Sequence, residues 1–125
     1  MPKVLIVEDN EPNRQMLARR LERKGFSVVA APDGAEGYSL ARAETPDLIL
    51  MDISLPGMDG WETIGLLKSE SATRDIPVVI LTAHALIDDR SKAVAVGCGD
   101  YFSKPVDFQR LLDRIGELLT EKKPV

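Results

Sequence analysis

Short apolar runs alternate with segments of helical pattern along the whole chain, and this rhythm narrows the fold more than any single residue does. The runs are "KVLIV" (3–7), "SVVAA" (27–31), "DLILM" (47–51) and "IPVVIL" (76–81), with "DYFS" (100–103) as a short fifth strand. Compact runs of this kind, without polar alternation, read as strands covered on both faces. The segment after "EDNEP" has Pro12 suited to a first helical turn. In it Leu17 and Leu21 lie on one face with Met16 and Ala18 alongside, while Arg14, Arg19, Arg20 and Arg23 fill the wetter side. Gly25 supplies the C-terminal stop. A second helix is expected over 33–44, opened by an Asp-Gly turn. A third is expected over 59–69, with Trp61, Ile64 and Leu67 on one face. A fourth runs over 85–97, ended by Gly97, and a fifth over 107–120, with Leu111, Leu112, Ile115, Leu118 and Leu119. Strict strand–helix alternation predicts an α/β domain, a parallel sheet with helices on both sides. In such sheets the ligand crevice lies at the carboxyl ends of the strands.

The chain has 125 residues, enough for one well-buried core. With 44% hydrophobic and 29% charged residues it reads as a globular protein rather than a disordered one. A net charge of −4 argues against generic nucleic-acid binding, which leans on a basic surface. Cys98 is the only cysteine, so no internal disulfide forms. The first ten residues contain no apolar stretch of the secretory kind. The longest nearly apolar stretch, 76–87, is interrupted by Pro77, Thr82 and His84 and is too short to span a bilayer. A cytoplasmic protein without membrane association is expected. The folded domain is expected over 1–120, with 121–125 as a flexible tail.

Chemistry-bearing residues collect where the strands end. The first strand runs into Glu8 and Asp9, the third into Asp52, the fourth into Thr82, and the fifth into Lys104 and Pro105. Three carboxylates against one ammonium leave two negative charges unbalanced. Two carboxylates about 4 Å apart repel by roughly 4 kcal/mol at an effective dielectric near 20. A divalent cation relieves that. Hard oxygen ligands at an open, water-accessible edge favour Mg²⁺. A carboxylate beside a cation, a lysine and a hydroxyl is equipped to receive a phosphoryl group, since aspartate is an established covalent nucleophile of the acyl-phosphate kind. Phosphoryl transfer needs positioning and charge neutralisation above all. Mg²⁺, the Lys104 ammonium and the Thr82 hydroxyl supply one partner for each equatorial oxygen.

"VLIVEDN", "DLILMDISLPGMDG", "VVILTA" and "DYFSKP", in this order and spacing, resemble the receiver domain of bacterial two-component response regulators. The opening "IVEDNEPN" is similar to the stand-alone receivers of the DivK type and to receivers in hybrid-kinase relays. The resemblance implies a flavodoxin-like (CheY-like) doubly wound (βα)5 fold with a five-stranded parallel sheet of order 2-1-3-4-5. It implies that Asp52 is the phospho-accepting aspartate. It makes Asp9 and Asp52 direct Mg²⁺ ligands, with Glu8 acting through water and Ser54 lending its backbone carbonyl. Thr82 and Lys104 match the switch hydroxyl and the phosphate-binding lysine, and Tyr101 the aromatic rotamer switch. The implied partners are a histidine kinase or histidine phosphotransfer protein, and a downstream protein reached through the face of the fourth helix, fifth strand and fifth helix. A monomer or a weak phosphorylation-linked dimer is expected. The chain is expected to be a single-domain response regulator and not an enzyme in the usual sense, with no output module.

Other readings compete. A Mg²⁺-dependent aspartyl-phosphate phosphohydrolase wants a second carboxylate two residues after its nucleophile, where this chain has Ser54. A flavodoxin-like cofactor binder wants a glycine-rich loop after the first strand, where "EDNEPN" would repel an anionic cofactor. A receiver cut from a hybrid kinase shares all the motifs. His84 reads equally as a solvated residue at a helix start or as a neighbour of the phosphoryl edge. The arginine-rich first helix reads as a solvated face or as a docking surface. Cys98 reads as a small packed residue and Trp61 as a partly exposed one.

Overall fold

In the computed structural model, residues 2–52, 60–82, 100–103 and 107–122 are described; for Thr82, Asp100, Tyr101, Ser103, Glu121 and Lys122 the description is of the backbone alone. The strands are β1 (Lys3–Val7), β2 (Ser27–Ala31), β3 (Leu48–Asp52), β4 (Val78–Thr82) and β5 (Asp100–Ser103). The described helices are α1 (Glu11–Arg23), α2 (Gly34–Glu44), α3 (Gly60–Ser69) and, as α4 here, Phe108–Lys122. The helix expected over 85–97 lies outside the described residues. All four strand pairings are parallel, and the order is β2-β1-β3-β4-β5. The chain steps from β1 to β2 on one side, then returns past β1 to β3. That reversal is the place where open α/β sheets bind their ligands.

Alternation along each strand divides the core in two. Leu5, Val7, Ile49, Met51, Val78 and Ile80 face α2 and α3, where Ala41, Ile64 and Leu67 meet them. Val4, Ile6, Leu48, Leu50, Val79 and Leu81 face α1 and α4, where Leu17, Leu21, Leu111, Ile115 and Leu118 meet them. Each fully buried aliphatic side chain of this kind contributes about 1.5–3 kcal/mol. β2 departs from the expectation of two covered faces. It is an edge strand, and only Ala31 of its five residues is fully buried. Met16 departs as well. It is 44% exposed, because it lies on the side of Leu17 away from Leu21, whereas Ala18, on the Leu21 side, packs against the core.

Local chemistry sets the element boundaries. Asn10 caps α1, its side chain accepting the Asn13 N–H at 3.0 Å, and Asp33 caps α2 through the Glu36 N–H at 2.8 Å. At the end of α1, Gly25 takes φ +94°. The Phe26 N–H bonds the Leu21 carbonyl at 3.1 Å and the Gly25 N–H bonds that of Glu22 at 3.0 Å, a Schellman closure. β3 begins one residue later than expected, because Asp47 is engaged in a reciprocal clamp. Its carboxylate accepts the Lys3 N–H and its own N–H donates to the Lys3 carbonyl, both at 2.8 Å. β4 begins two residues later than expected. Pro77 has no N–H to give, and the Ile76 N–H is held in the preceding turn by Thr73 at 3.0 Å. Among the described residues no helix is long and apolar enough to cross a membrane.

Candidate functional site

The sheet register brings two of the acids together. Ile6 pairs with Leu50 across β1 and β3. Two residues further on come Glu8 and Asp52, with the same parity as Ile6 and Leu50 and therefore on the α1 side of the sheet. The Glu8 N–H continues the β1–β2 ladder by donating to the Ala31 carbonyl at 3.0 Å. Both acids are almost fully buried, Glu8 at 1% exposure and Asp52 at 2%. Asp9 is exposed and completes the group. One carboxylate oxygen from each of Glu8, Asp9 and Asp52 can be chosen so that all three lie within 4.8 Å of one another. Burying carboxylates at this density is costly unless cations answer them.

The donor set fits a hard cation. It consists of carboxylate oxygens alone, one of them open to water, which suits an ion that keeps part of its hydration shell. The group can hold a divalent metal ion at the strand ends and leave an Asp52 oxygen beside it.

The sequence matches the family model of the response regulator receiver domain over residues 4–116. The chain belongs to the response regulator receiver family. The receiver is 41% identical to the polar-differentiation response regulator DivK of Brucella anthropi over 120 residues, 95% of this chain and 98% of that one. It is also 41% identical to the phosphate regulon transcriptional regulatory protein PhoB of Klebsiella pneumoniae over 123 residues, but there it spans only 54% of the relative. The chain thus spans about half the length of PhoB and nearly all of DivK. Among solved structures, the receiver domain of the sensor histidine kinase PA1611 from Pseudomonas aeruginosa PAO1 superposes with a TM-score of 0.87 at 30% identity, covering 95% of this chain and 98% of that one. That structure carries a magnesium ion coordinated in its active-site cleft. Receiver domains are phosphoryl-accepting signalling modules rather than conventional enzymes.

Of the site residues expected from sequence, the receiver brings Glu8, Asp9 and Asp52 into one group. Thr82 closes β4, its backbone paired with Ser103 of β5, so it stands at the same sheet edge. Its side chain and that of Tyr101 lie outside the described residues, as do Ser54, Lys104, His84 and Cys98. Trp61 is half-buried against the α2–α3 side of the core, as its place in α3 predicts. Arg14 is the residue that reading the sequence assigns differently. The helical pattern places it on the wetter side of α1, yet it is half-buried and its guanidinium donates to the Glu8 carbonyl at 2.9 Å. A basic residue one turn into the helix that follows an acid pair was the available signal.

Proposed function

We propose that Asp52 accepts a phosphoryl group, in a Mg²⁺-dependent reaction, from a phosphohistidine on a histidine kinase or histidine phosphotransfer protein. The convergence of Glu8, Asp9 and Asp52 carries this reading. An Asp52 carboxylate oxygen attacks phosphorus, an O–P bond forms, the N–P bond breaks, and the electron pair returns to the imidazole nitrogen. Asp9 and Asp52 would hold the ion directly and Glu8 through water, and Ser54 would add its backbone carbonyl. When bound, Mg²⁺ neutralises charge on the transferring phosphoryl oxygens. The PA1611 receiver, with magnesium in its cleft, supports the choice of ion. Lys104 and Thr82 meet the remaining phosphoryl oxygens.

The added charge biases the receiver between two conformers, since a charge-pairing event shifts a population only by favouring one state. Thr82 moves toward the phosphoryl group and Tyr101 follows. The surface of segment 85–97, β5 and α4 then changes its preference for a downstream protein. The same chemistry serves whether the receiver works alone or within a hybrid histidine kinase. Slow loss of phosphate from Asp52 belongs to the same site, and the compartment that fits its partners is the cytoplasm.

The test is intact-mass spectrometry after incubation with Mg²⁺ and acetyl phosphate. One phosphoryl group is expected per chain, absent with EDTA and absent in Asp52→Asn. Mass gain that survives Asp52→Asn overturns the assignment. Sustained turnover of phosphate esters moves the reading to a phosphohydrolase.

A further inference from the structure

We propose that Arg14 is a positioning residue for the acidic group: it holds the Glu8–Asp9 peptide in the orientation that lets both carboxylates meet Asp52. The inference rests on the Mg²⁺ reading above and deepens it. The carbonyl of Glu8 belongs to the peptide that joins the two acids. At this point the chain leaves the sheet. The Glu8 N–H still finds a ladder partner in the Ala31 carbonyl at 3.0 Å, but the turn into α1 carries the following peptide away from β2. An Arg14 guanidinium nitrogen donates to the Glu8 carbonyl at 2.9 Å.

The reach follows from helix geometry. Arg14 makes the first intrahelical bond of α1, its N–H donating to the Asn10 carbonyl at 2.9 Å. Helical side chains lean toward the N-terminus, so a long one at this position points back over the β1–α1 connection. Asn10 anchors the same connection from its other end by capping the helix. The connection is therefore held at the Glu8 carbonyl and at the Asn10 side chain, with Asp9 between them. Glu8 is buried and Asp9 exposed. The tilt of the single peptide between them decides whether their oxygens converge on Asp52 or diverge.

Positioning and simple charge predict opposite signs. A guanidinium near an acidic group repels an incoming dication, so an Arg14 that acted through charge alone would weaken Mg²⁺ binding, and its removal would tighten it. An Arg14 that orients the ligands strengthens binding, and its removal weakens it. The decisive measurement is Mg²⁺ affinity of the full chain by isothermal titration calorimetry, with Trp61 fluorescence as a second readout. Arg14→Met is expected to raise Kd by about 10-fold, the lower end for groups that orient metal ligands. Arg14→Lys keeps a donor of similar length and is expected to recover part of the loss. Unfolding midpoints in EDTA establish that each variant is folded. If Arg14→Met does not fold, Arg14→Lys and Arg14→Gln carry the test, with the neutral Gln expected to bind more weakly than Lys. Unchanged or tighter Mg²⁺ binding in the charge-free variant overturns the role of Arg14 and leaves the metal reading standing. No Mg²⁺ titration in the wild type removes both.

Discussion

Gly37 sits where α2 crosses β1 so closely that a side chain has no room. A Cβ at this position would lie 2.7 Å from one Val7 methyl and 3.1 Å from the other. Val7 is itself buried at 1% exposure, immediately before Glu8. Neither side gives way without disturbing the strand end that carries the acids. Gly37→Ala is expected to destabilise the receiver by about 1–3 kcal/mol, the usual cost of overpacking, despite the helix-propensity gain of alanine. A urea unfolding midpoint equal to or above that of the wild type would contradict the close approach. Thr45 presents the contrasting case. It closes α2 with φ 42°, a left-handed conformation that a β-branched residue adopts at a cost. Its N–H makes the last i→i−4 bond of the helix, to the Ala41 carbonyl at 3.0 Å, and its left-handed backbone then turns the chain out of the helix before Pro46.

At the scale of elements, the join between α3 and β4 is tied by side chains rather than by a glycine stop. The buried Thr73 hydroxyl donates to the Leu67 carbonyl at 2.6 Å, one of the last-turn carbonyls that a helix leaves without an internal partner. Lys68 reaches forward and donates to the carbonyls of Arg74 and Ile76 at 3.1 and 2.9 Å. Thr73→Val keeps the shape and removes the donor. It is expected to cost about 1–3 kcal/mol, the penalty of leaving a buried carbonyl unsatisfied. Chemical denaturation checks this, and Thr73→Ser is expected to restore most of the loss. The α2–α3 side is tied in a similar way. Arg42 lies over the Tyr38 ring at 5.5 Å and stands 3.6 Å from the Glu70 carboxylate. A hydrogen bond to that carboxylate pushes the Tyr38 phenol above its usual range. Across the sheet, Arg20 lies over the Phe108 ring at 5.1 Å and joins α1 to α4.

For the whole molecule, three acids at one sheet edge mean that the proposed Mg²⁺ binding would be linked to stability. Mg²⁺ that binds only the folded receiver stabilises it by mass action, by about 2.7 kcal/mol at a free concentration of 100 Kd. Asp9→Asn removes an exposed member of the group. Without metal, the variant is expected to melt at or above the wild-type temperature, because one repelling charge has gone. With Mg²⁺, it is expected to lose most of the increment that the wild type gains. Thermal melts in EDTA and in Mg²⁺ test both arms, and an undiminished Mg²⁺ increment in Asp9→Asn would place the ion elsewhere.

The strands and the four described helices were legible because such identities are short-range properties. Periodicity, Pro12, Asp33 and Gly25 act within a few residues of themselves. The four apolar runs and the short "DYFS" became five strands with boundaries moved by two residues or fewer, and the acids were already visible at their ends. The order that sets β1 beside β3 with β2 outside it was implied by the family resemblance and is the order observed, but no local pattern decides it, since pairing between distant segments depends on how the helices cover both faces. That adjacency, reinforced by the clamp between Lys3 and Asp47, puts Glu8 next to Asp52. The fit of Gly37 against Val7 likewise follows from how a helix returns onto the sheet, a geometry that no local pattern encodes.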